Sequence, residues 1–286
     1  MYPAQFEYHK AGTVKEALDL LAKYKDEAKL LAGGHSLLPA MKLRLAQPKH
    51  LIDIGKVSGL AGVNEEGGTL VIGAMTTHYA IESSAVLKGK CPLLSEVAGH
   101  IGDPMVRNMG TLGGSLAHAD PAADWPAAAI ALGADLVAEG PKGKRTIKVD
   151  DFFKGLLTTA LADDEILTEI RVPACGANVK CAYAKFPHPA SRFAVVGVAA
   201  VLTLDGGKIS KASIGITGAG TKATRARGVE AAIAGKPADA ASIQAAASSA
   251  ADGVDVQADL QGSIEYKQHL LRVFAKRAME AAAAKK

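Results

Sequence analysis

The chain has 286 residues, of which 49% are hydrophobic and 22% are charged, and its formal net charge is +4. This near balance of charge excludes a dedicated nucleic-acid binder, which needs a concentrated basic stripe. The apolar content excludes an intrinsically disordered chain. At roughly 150 residues per domain, the length predicts two domains.

The sequence carries no signal for membrane insertion, export or metal binding. Its longest apolar stretch, residues 193–204, is shorter than the roughly 20 residues that span a bilayer. The N-terminus has neither the basic region nor the apolar core of a signal peptide. Cys91, Cys175 and Cys181 form no C-x-x-C pair, so we expect no disulfide framework, structural zinc or iron–sulfur cluster in this chain. We expect a cytoplasmic protein without a metal.

The first 60 residues predict a small βαβ-like unit. Thr13 is placed as a helix N-cap, with Glu16 three residues later as in a capping box. Pro39 falls where the first turn of another helix would begin. The predicted elements are a helix at 14–24, a strand at 28–32 ended by two glycines, a helix at 40–45 and a strand at 50–54.

Residues 60–175 predict a mixed region of helices and strands. The predicted elements are a strand at 70–74, helices at 79–87, 92–102 and 126–132, a strand at 135–139, a hairpin turn at 140–145 and an edge strand at 164–172. Proline, glycine and polar residues cluster at 173–178, which predicts a domain boundary there.

The last hundred residues predict a three-stranded sheet backed by helices. The predicted elements are strands at 181–186, 194–204 and 212–217, the middle and last joined by a turn at 205–208, and alanine-rich helices at 228–234, 238–251 and 264–284. No solenoid-type repeat is visible.

Two glycine pairs are the most informative local motifs, Gly33-Gly34 and Gly113-Gly114. Paired glycines let backbone N–H groups turn inward and approach a ligand without a Cβ in the way. Two facing nests of this kind would suit a pyrophosphate. The alternative is that both are ordinary loop turns. The dinucleotide fingerprint G-x-G-x-x-G and the P-loop pattern are both absent.

Other polar residues are open to two interpretations. Asp120 and Asp124 offer two carboxylates for acid–base work, although a turn and a helix cap are the more common roles. Trp125 could stack on a flat ring but is more often a core residue. Lys185 lies on a predicted strand, where the residues alone favour a solvent-facing side chain. The eight histidines do not cluster in sequence; His35 and His118 lie in the glycine-rich regions, and we expect structural or surface roles for the others.

These motifs resemble one known family, the medium, flavin-carrying subunits of the molybdenum hydroxylases (the carbon monoxide dehydrogenase and xanthine dehydrogenase group). Residues 32–39, continuing to Lys42 and the strand at 51–54, closely resemble its first FAD-binding motif. Residues 72–77 and 107–115 match its pattern in order and spacing. Asp120-Pro121 with Asp124, residues 165–167 and residues 265–267 continue the similarity, which spans essentially the whole chain.

The resemblance implies an α+β fold. A FAD-binding domain of two subdomains, similar to that of vanillyl-alcohol oxidase, would occupy residues 1–175, divided into 1–58 and 59–175. A small α+β C-terminal domain would follow at 179–284.

The resemblance also implies the site residues. The residues expected to bind FAD are Leu30, Leu31, Ala32, Gly33, Gly34, His35, Ser36, Leu37, Ile101, Gly110, Thr111, Gly113, Gly114, Asp124, Leu167, Lys185 and Phe193. Phe193 stands where the family often has an aromatic residue on the isoalloxazine, and without a hydroxyl it can stack but not hydrogen-bond. No catalytic acid, base or nucleophile and no metal ligand is implied in this chain.

In that family the chain would be the terminal electron-transfer subunit. Electrons would arrive from a small partner subunit with two-iron two-sulfur clusters, reduce FAD and leave to an outside acceptor. A large partner subunit would hold the molybdenum-pterin cofactor. The complex would be a dimer of heterotrimers (a heterohexamer), and any association with a membrane would be peripheral and made through the partner subunits. The alternatives are a free-standing FAD-dependent oxidoreductase with its own substrate pocket and a non-redox nucleotide-binding assembly module.

Two departures bear on the substrate, which lies in another chain. Carbon monoxide dehydrogenase medium subunits carry a basic Lys-Arg-Lys-x-Gly-Asp stretch where this chain has residues 186–192, and a Gly-Asn that is missing from residues 120–124. Both favour the broader group acting on aldehydes, N-heterocycles or aromatic compounds over carbon monoxide, which stays an alternative, and the final acceptor (quinone, NAD, oxygen or another) stays open.

Overall fold

The first 60 residues form a three-stranded parallel sheet with two helices, seen in a computed structural model that describes residues 1–285. The strands lie in the order β1-β3-β2. Thr13 caps α1 by accepting a hydrogen bond from the Glu16 amide, as the capping box predicts. The elements are β1 (Glu7–Lys10), α1 (Val14–Tyr24), a 3-10 turn (Lys25–Glu27), β2 (Ala28–Leu31), α2 (Leu37–Lys42) and β3 (His50–Asp53). The sequence did not predict β1, a short edge strand whose residues are mostly polar.

A five-stranded antiparallel sheet follows, in the order β4-β5-β10-β6-β7. Its strands are β4 (Val63–Glu66), β5 (Thr69–Gly73), β6 (Asp135–Gly140), β7 (Gly143–Lys148) and β10 (Ile166–Pro173). The prediction of an edge strand at 164–172 is wrong, because β10 pairs with β5 on one side and β6 on the other. Its alternation arises from a half-exposed face that carries Glu169 and Arg171, not from an unpaired edge.

Seven helices surround this sheet within the described chain. They are α3 (His78–Ser83), α4 (Ala85–Lys90), α5 (Pro92–Gly99), α6 (Pro104–Met109), α7 (Leu112–His118), α8 (Asp124–Leu132) and α9 (Val149–Phe152), with a small ribbon of β8 (Phe153–Gly155) and β9 (Thr158–Thr159). The single helix predicted at 79–87 is two helices. Ser84 adopts an extended backbone between them, and its hydroxyl accepts from the Leu87 amide to start α4.

The C-terminal part is a four-stranded antiparallel sheet with three helices. The elements are β11 (Val179–Pro187), β12 (Ala194–Asp205), β13 (Lys208–Thr217), β14 (Thr224–Arg225), α10 (Arg227–Ile233), α11 (Ala240–Ala247) and α12 (Ile264–Ala283). The expectation of three strands is therefore wrong. The fourth strand, β14, has two residues, too few to produce a periodic sequence signal.

Helix α8 joins the five-stranded sheet to the C-terminal sheet. Every residue of α8 is buried. A Cβ at Gly215 in β13 would lie 2.0 Å from the Ala127 carbonyl oxygen, so only glycine allows this close approach. The Thr217 hydroxyl lies 2.7 Å from the carbonyl oxygens of both Pro121 and Ala123. Through these contacts the C-terminal sheet fixes the loop that precedes α8. No helix among residues 1–285 is both long and apolar enough to cross a membrane.

Candidate functional site

The first glycine motif lies at the carboxyl end of β2. Gly34 has a φ of +76°, a conformation that residues with a Cβ rarely adopt. Within the described chain, the backbone N–H groups of residues 33–37 donate to no protein acceptor. Five successive free donors at a turn form a concave anion-binding surface. This arrangement could hold a group rich in acceptor oxygens.

The second glycine motif packs directly against the first. A Cβ at Gly33 would lie 2.0 Å from the Met109 carbonyl oxygen and 2.8 Å from the Cα of Gly110. A Cβ at Gly114 would lie 3.4 Å from that of Ala32. The structure thus brings together residues that lie about 80 positions apart in the chain.

The amides of the second motif are already used by the protein. Those of Leu112 and Gly113 donate to the carbonyl oxygens of Thr76 and Ala74, and that of Gly114 donates to the Thr111 hydroxyl. The second motif is therefore not a nest facing the first. Its glycines allow α7 to dock closely against the end of β5 and beside the first motif.

A buried histidine supports this junction. A Cβ at Gly110 would lie 2.6 Å from Nε2 of His78, whose Nδ1 accepts a hydrogen bond from the Trp125 indole at 3.0 Å. Burial lowers the pKa of His78 to about 4, helped by the nearby His35 and Arg107. His78 is therefore neutral at pH 7 and serves as an acceptor. Trp125 is buried in the core, so its ring is not free to stack on a ligand.

Asp124, Lys185 and Tyr183 form a second cluster, at the start of α8. The Lys185 ammonium lies 2.8 Å from Asp124 Oδ2 and 3.1 Å from the His100 carbonyl oxygen. The Tyr183 hydroxyl donates to Asp124 Oδ1 at 2.5 Å. The interpretation of Lys185 as a solvent-facing residue is wrong, because its side chain is only 2% exposed. The absence of a side chain at Gly197 leaves room for the Tyr183 hydroxyl.

Burial controls the ionisation of this cluster. It raises the pKa of Asp124, although the charge of Lys185 and its hydrogen bond to Asp124 lower that pKa. It also raises the pKa of Tyr183 well above its ordinary value. A carboxylate and an ammonium paired in this way are mutually neutralising. The cluster is therefore suited to positioning α8 and β11 rather than to exchanging protons with a substrate.

The remaining expected site residues lie in different environments. Ile101 follows His100, whose carbonyl oxygen accepts from Lys185, so it borders the Asp124 cluster. Phe193 is 44% exposed and precedes Ala194, whose amide donates to the Ala122 carbonyl oxygen near that cluster. Leu167 is buried in the core of the five-stranded sheet. His35 is exposed, with its ring nitrogen 3.0 Å from the Gly33 carbonyl oxygen.

Sequence reasoning missed several of these relationships. Tyr183 lies two residues before Lys185 on one strand, so the twofold period of β11 puts both on one face and could have identified it. His9 and His50 are far apart in sequence, yet their ring nitrogens lie 3.1 Å apart on paired strands. No local signal predicts that contact.

The cysteines also lie together despite their spacing. Cys175 is within hydrogen-bonding reach of both Cys91 and Cys181. The bond to Cys181 lowers the pKa of Cys175, but the contact with Cys91 and burial outweigh it and bring the value to about 12. The bond to Cys175 and burial raise the pKa of Cys181. All three are free thiols.

Two family profiles cover most of the chain. Residues 4–175 match the FAD binding domain in molybdopterin dehydrogenase, and residues 181–282 match the CO dehydrogenase flavoprotein C-terminal domain.

Individual proteins of several specificities resemble the whole chain. The carbon monoxide dehydrogenase medium chain of Hydrogenophaga pseudoflava is 44% identical over 282 residues, covering 99% of this chain and 98% of its own. The 6-hydroxypseudooxynicotine dehydrogenase complex subunit alpha of Paenarthrobacter nicotinovorans is 35% identical over 280 residues, covering 98% of this chain and 95% of its own. The solved carbon monoxide dehydrogenase of H. pseudoflava that lacks the Mo-pyranopterin moiety of its molybdenum cofactor superimposes with a TM-score of 0.97 at 46% identity, covering 99% of both chains.

Proposed function

The chain belongs to the FAD-binding medium subunits of the molybdopterin dehydrogenases, and on that premise we propose that its two glycine motifs hold the diphosphate of FAD. The single observation that carries the proposal is the row of free N–H groups over residues 33–37, beside a backbone that approaches closely at Gly33. A diphosphate offers the charge and the acceptor oxygens that such a turn recognises.

The expected site residues have distinct roles in this proposal. Residues 33–37 would bind the diphosphate through their free amides, with Leu30, Leu31 and Ala32 beside them at the end of β2. Gly110 to Gly114 would line the same space with closely packed backbone. The rest of the nucleotide would lie near Ile101, Asp124, Leu167, Lys185 and Phe193. The position of Ile101 and Phe193 beside the buried Asp124–Lys185 pair supports that grouping, since a rigid pair holds both segments in place.

When bound, FAD supplies the ability to accept electrons from an iron–sulfur partner and release them to an external acceptor. The chain itself binds, orients and electrostatically tunes that group. Its partners in the proposal are a small iron–sulfur subunit and a large molybdenum-cofactor subunit, assembled as a dimer of heterotrimers. The cytoplasmic location belongs to the same proposal. Relatives named for carbon monoxide and for 6-hydroxypseudooxynicotine both resemble this chain over nearly its full length, so similarity of the flavin subunit does not identify the substrate.

The proposed domain organisation is a FAD-binding domain at 1–175, with subdomains at 1–58 and 59–175, and a C-terminal domain at 179–284. Three apolar clusters support it. One is centred on the first sheet, one on the five-stranded sheet and one on the C-terminal sheet. The second cluster includes Tyr183 and Ala199 of the C-terminal sheet, so the proposed domains share a packed boundary.

Flavin absorbance of the purified chain tests the proposal. We expect a yellow protein that carries one FAD and is bleached by dithionite, and we expect an iron–sulfur and a molybdenum polypeptide to co-purify from the native source. A colourless chain that cannot be reconstituted with FAD would contradict the flavin role. A monomer that binds FAD and oxidises a substrate by itself would instead identify a free-standing flavoprotein.

A further inference from the structure

Three side chains with metal-ligating atoms converge on the three-stranded sheet. Strands β1 and β3 pair in parallel with Glu7 opposite His50, and His9 lies two residues along β1. Nε2 of His9 is 3.1 Å from Nδ1 of His50. Oε2 of Glu7 is 3.4 Å from that Nδ1 and 3.8 Å from that Nε2. The same three atoms therefore form one closed triangle.

Aromatic stacking holds both imidazole rings. The Tyr24 ring at the end of α1 stacks on His50, with centroids 3.6 Å apart and planes 16° apart. It also stacks on His9 at 4.9 Å and 26°. The side chains of His9 and His50 are only 20% and 13% exposed, whereas that of Glu7 is 70% exposed. Two ligands are thus preorganised and the third is free to adjust.

The triangle has the dimensions of a coordination face. Zinc binds imidazole nitrogen and carboxylate oxygen at about 2.0–2.1 Å, so two ligands of a tetrahedral ion lie roughly 3.3 Å apart. The three observed edges bracket that value. Two imidazoles and one carboxylate are also a ligand set that divalent transition metals prefer.

We propose that Glu7 Oε2, His9 Nε2 and His50 Nδ1 bind one divalent transition-metal ion of the zinc class, with water completing the coordination. The metal takes the place of the proton that the two facing ring nitrogens otherwise share, and both imidazoles bind in the neutral form. Three protein ligands leave one coordination position of the ion to water. The site therefore differs from a structural zinc site, in which the protein supplies all four ligands.

This triad lies away from the glycine motifs. Glu7 and His50 are the first residues of parallel strands β1 and β3, whereas Gly33 lies two residues beyond the last residue of β2. The two sites therefore occupy opposite ends of one sheet. The ammonium of Lys23 lies 4.7 Å from the Tyr24 ring centroid, and its pKa is raised mainly by Tyr24 and in addition by the charge of Glu7. The ion and Lys23 would share the Glu7 charge.

Calorimetric titration of the full-length, chelator-treated chain with Zn²⁺, repeated with Co²⁺ and visible absorption, tests the proposal. We expect one equivalent bound at about 10 µM free Zn²⁺. His9→Ala and Glu7→Gln should each weaken binding by at least about 10-fold, since second-shell changes alone cost that much. Glu7→Gln should fold as the parent does, because the mostly exposed Glu7 side chain makes little packing contact. Weaker binding by this variant therefore reports the loss of a ligand and not a loss of the fold. His269→Ala, on the exposed face of α12, is the matched control and should bind as the parent does.

Flavin content is measured on the same samples and should stay unchanged in all variants, which separates this site from the proposed FAD site. Failure of the parent chain to bind Zn²⁺ or Co²⁺ would overturn the proposal. Equal affinity of Glu7→Gln, His9→Ala and the parent would do the same.

Discussion

The ammonium of Lys185 lies 2.8 Å from the Asp124 carboxylate, and the two side chains are only 2% and 6% exposed. Lys185 belongs to β11 of the C-terminal sheet and Asp124 to the first turn of α8. Their buried ion pair therefore connects the C-terminal sheet to the N-terminal end of α8. A buried pair of this kind adds little net stability, yet removing one partner is costly because the other charge stays buried.

Substitution of the buried lysine should be strongly destabilising. We expect Lys185→Met to lower the free energy of unfolding by roughly 3–5 kcal/mol at pH 7.5, measured by urea denaturation. Lys15→Met, which removes the exposed pair with Asp19, is the control and should change it by less than about 0.5 kcal/mol. The double variant Lys185→Met with Asp124→Asn should recover part of the loss.

The pH dependence of that variant has a defined sign. Burial already raises the pKa of Asp124, and loss of Lys185 raises it further. A folded-state pKa above the unfolded value means that the native protein holds the proton more tightly, so native stability falls as pH rises. The loss of unfolding free energy caused by Lys185→Met should therefore be smaller at pH 5 than at pH 7.5. If the loss of unfolding free energy is the same at both pH values, Asp124 does not remain buried in the variant.

The glycine motifs predict a graded loss of flavin. Gly34→Ala places a Cβ at a φ of +76° and 2.8 Å from Leu38, which should cost about 1–2 kcal/mol. Gly33→Ala must displace the Met109 carbonyl and separate the two motifs. We expect reduced FAD occupancy in Gly34→Ala and a larger reduction in Gly33→Ala, measured by the ratio of absorbance at flavin and protein wavelengths.

Gly89→Ala is the matched control for these variants. Gly89 lies in α4 with open space around it, so alanine should retain FAD and stabilise the helix by about 0.5–1 kcal/mol. Full FAD occupancy in Gly33→Ala would contradict the assignment of the diphosphate to this motif. Circular dichroism distinguishes loss of FAD from loss of the fold.

Buried His78 should make the protein sensitive to mild acid. Its pKa is about 4 in the folded chain against 6.5 for an ordinary histidine. The unfolded chain binds the proton first, so stability is complete above about pH 6.5 and falls by about 3 kcal/mol as pH drops to 4. His78→Asn keeps an acceptor for the Trp125 indole without the titration. The stability difference between parent and His78→Asn should therefore shift by that amount between pH 7.5 and 4.

The cysteine cluster should resist alkylation in the native protein. Thiolate is the reactive form, and the raised pKa values of Cys175 and Cys181 leave little of it at pH 8. Mass spectrometry after iodoacetamide should find these two unmodified in buffer and all three cysteines modified in urea. Rapid native modification of Cys175 would show that its contacts with Cys91 and Cys181 do not persist in solution.

The amino-acid sequence by itself determined many of the local elements and revealed the two glycine pairs. The Thr13 cap, the helix at the C-terminus and the hairpin turn near residue 141 arise from interactions within a few positions of the chain, so their signals are local. The glycine pairs are likewise visible in sequence because the conformations that they permit depend on the residue itself.

Only the tertiary structure decided which distant residues meet. Lys185 and Asp124 are 61 positions apart, and His9 and His50 are 41 apart. Their contacts depend on strand order and register, which put β11 next to β12, the strand on which α8 packs, and β1 beside β3. The central place of β10 and the shared cluster of three cysteines have the same origin. A local pattern specifies an element and its exposed face, whereas the partner of that face is chosen by the packing of the whole chain.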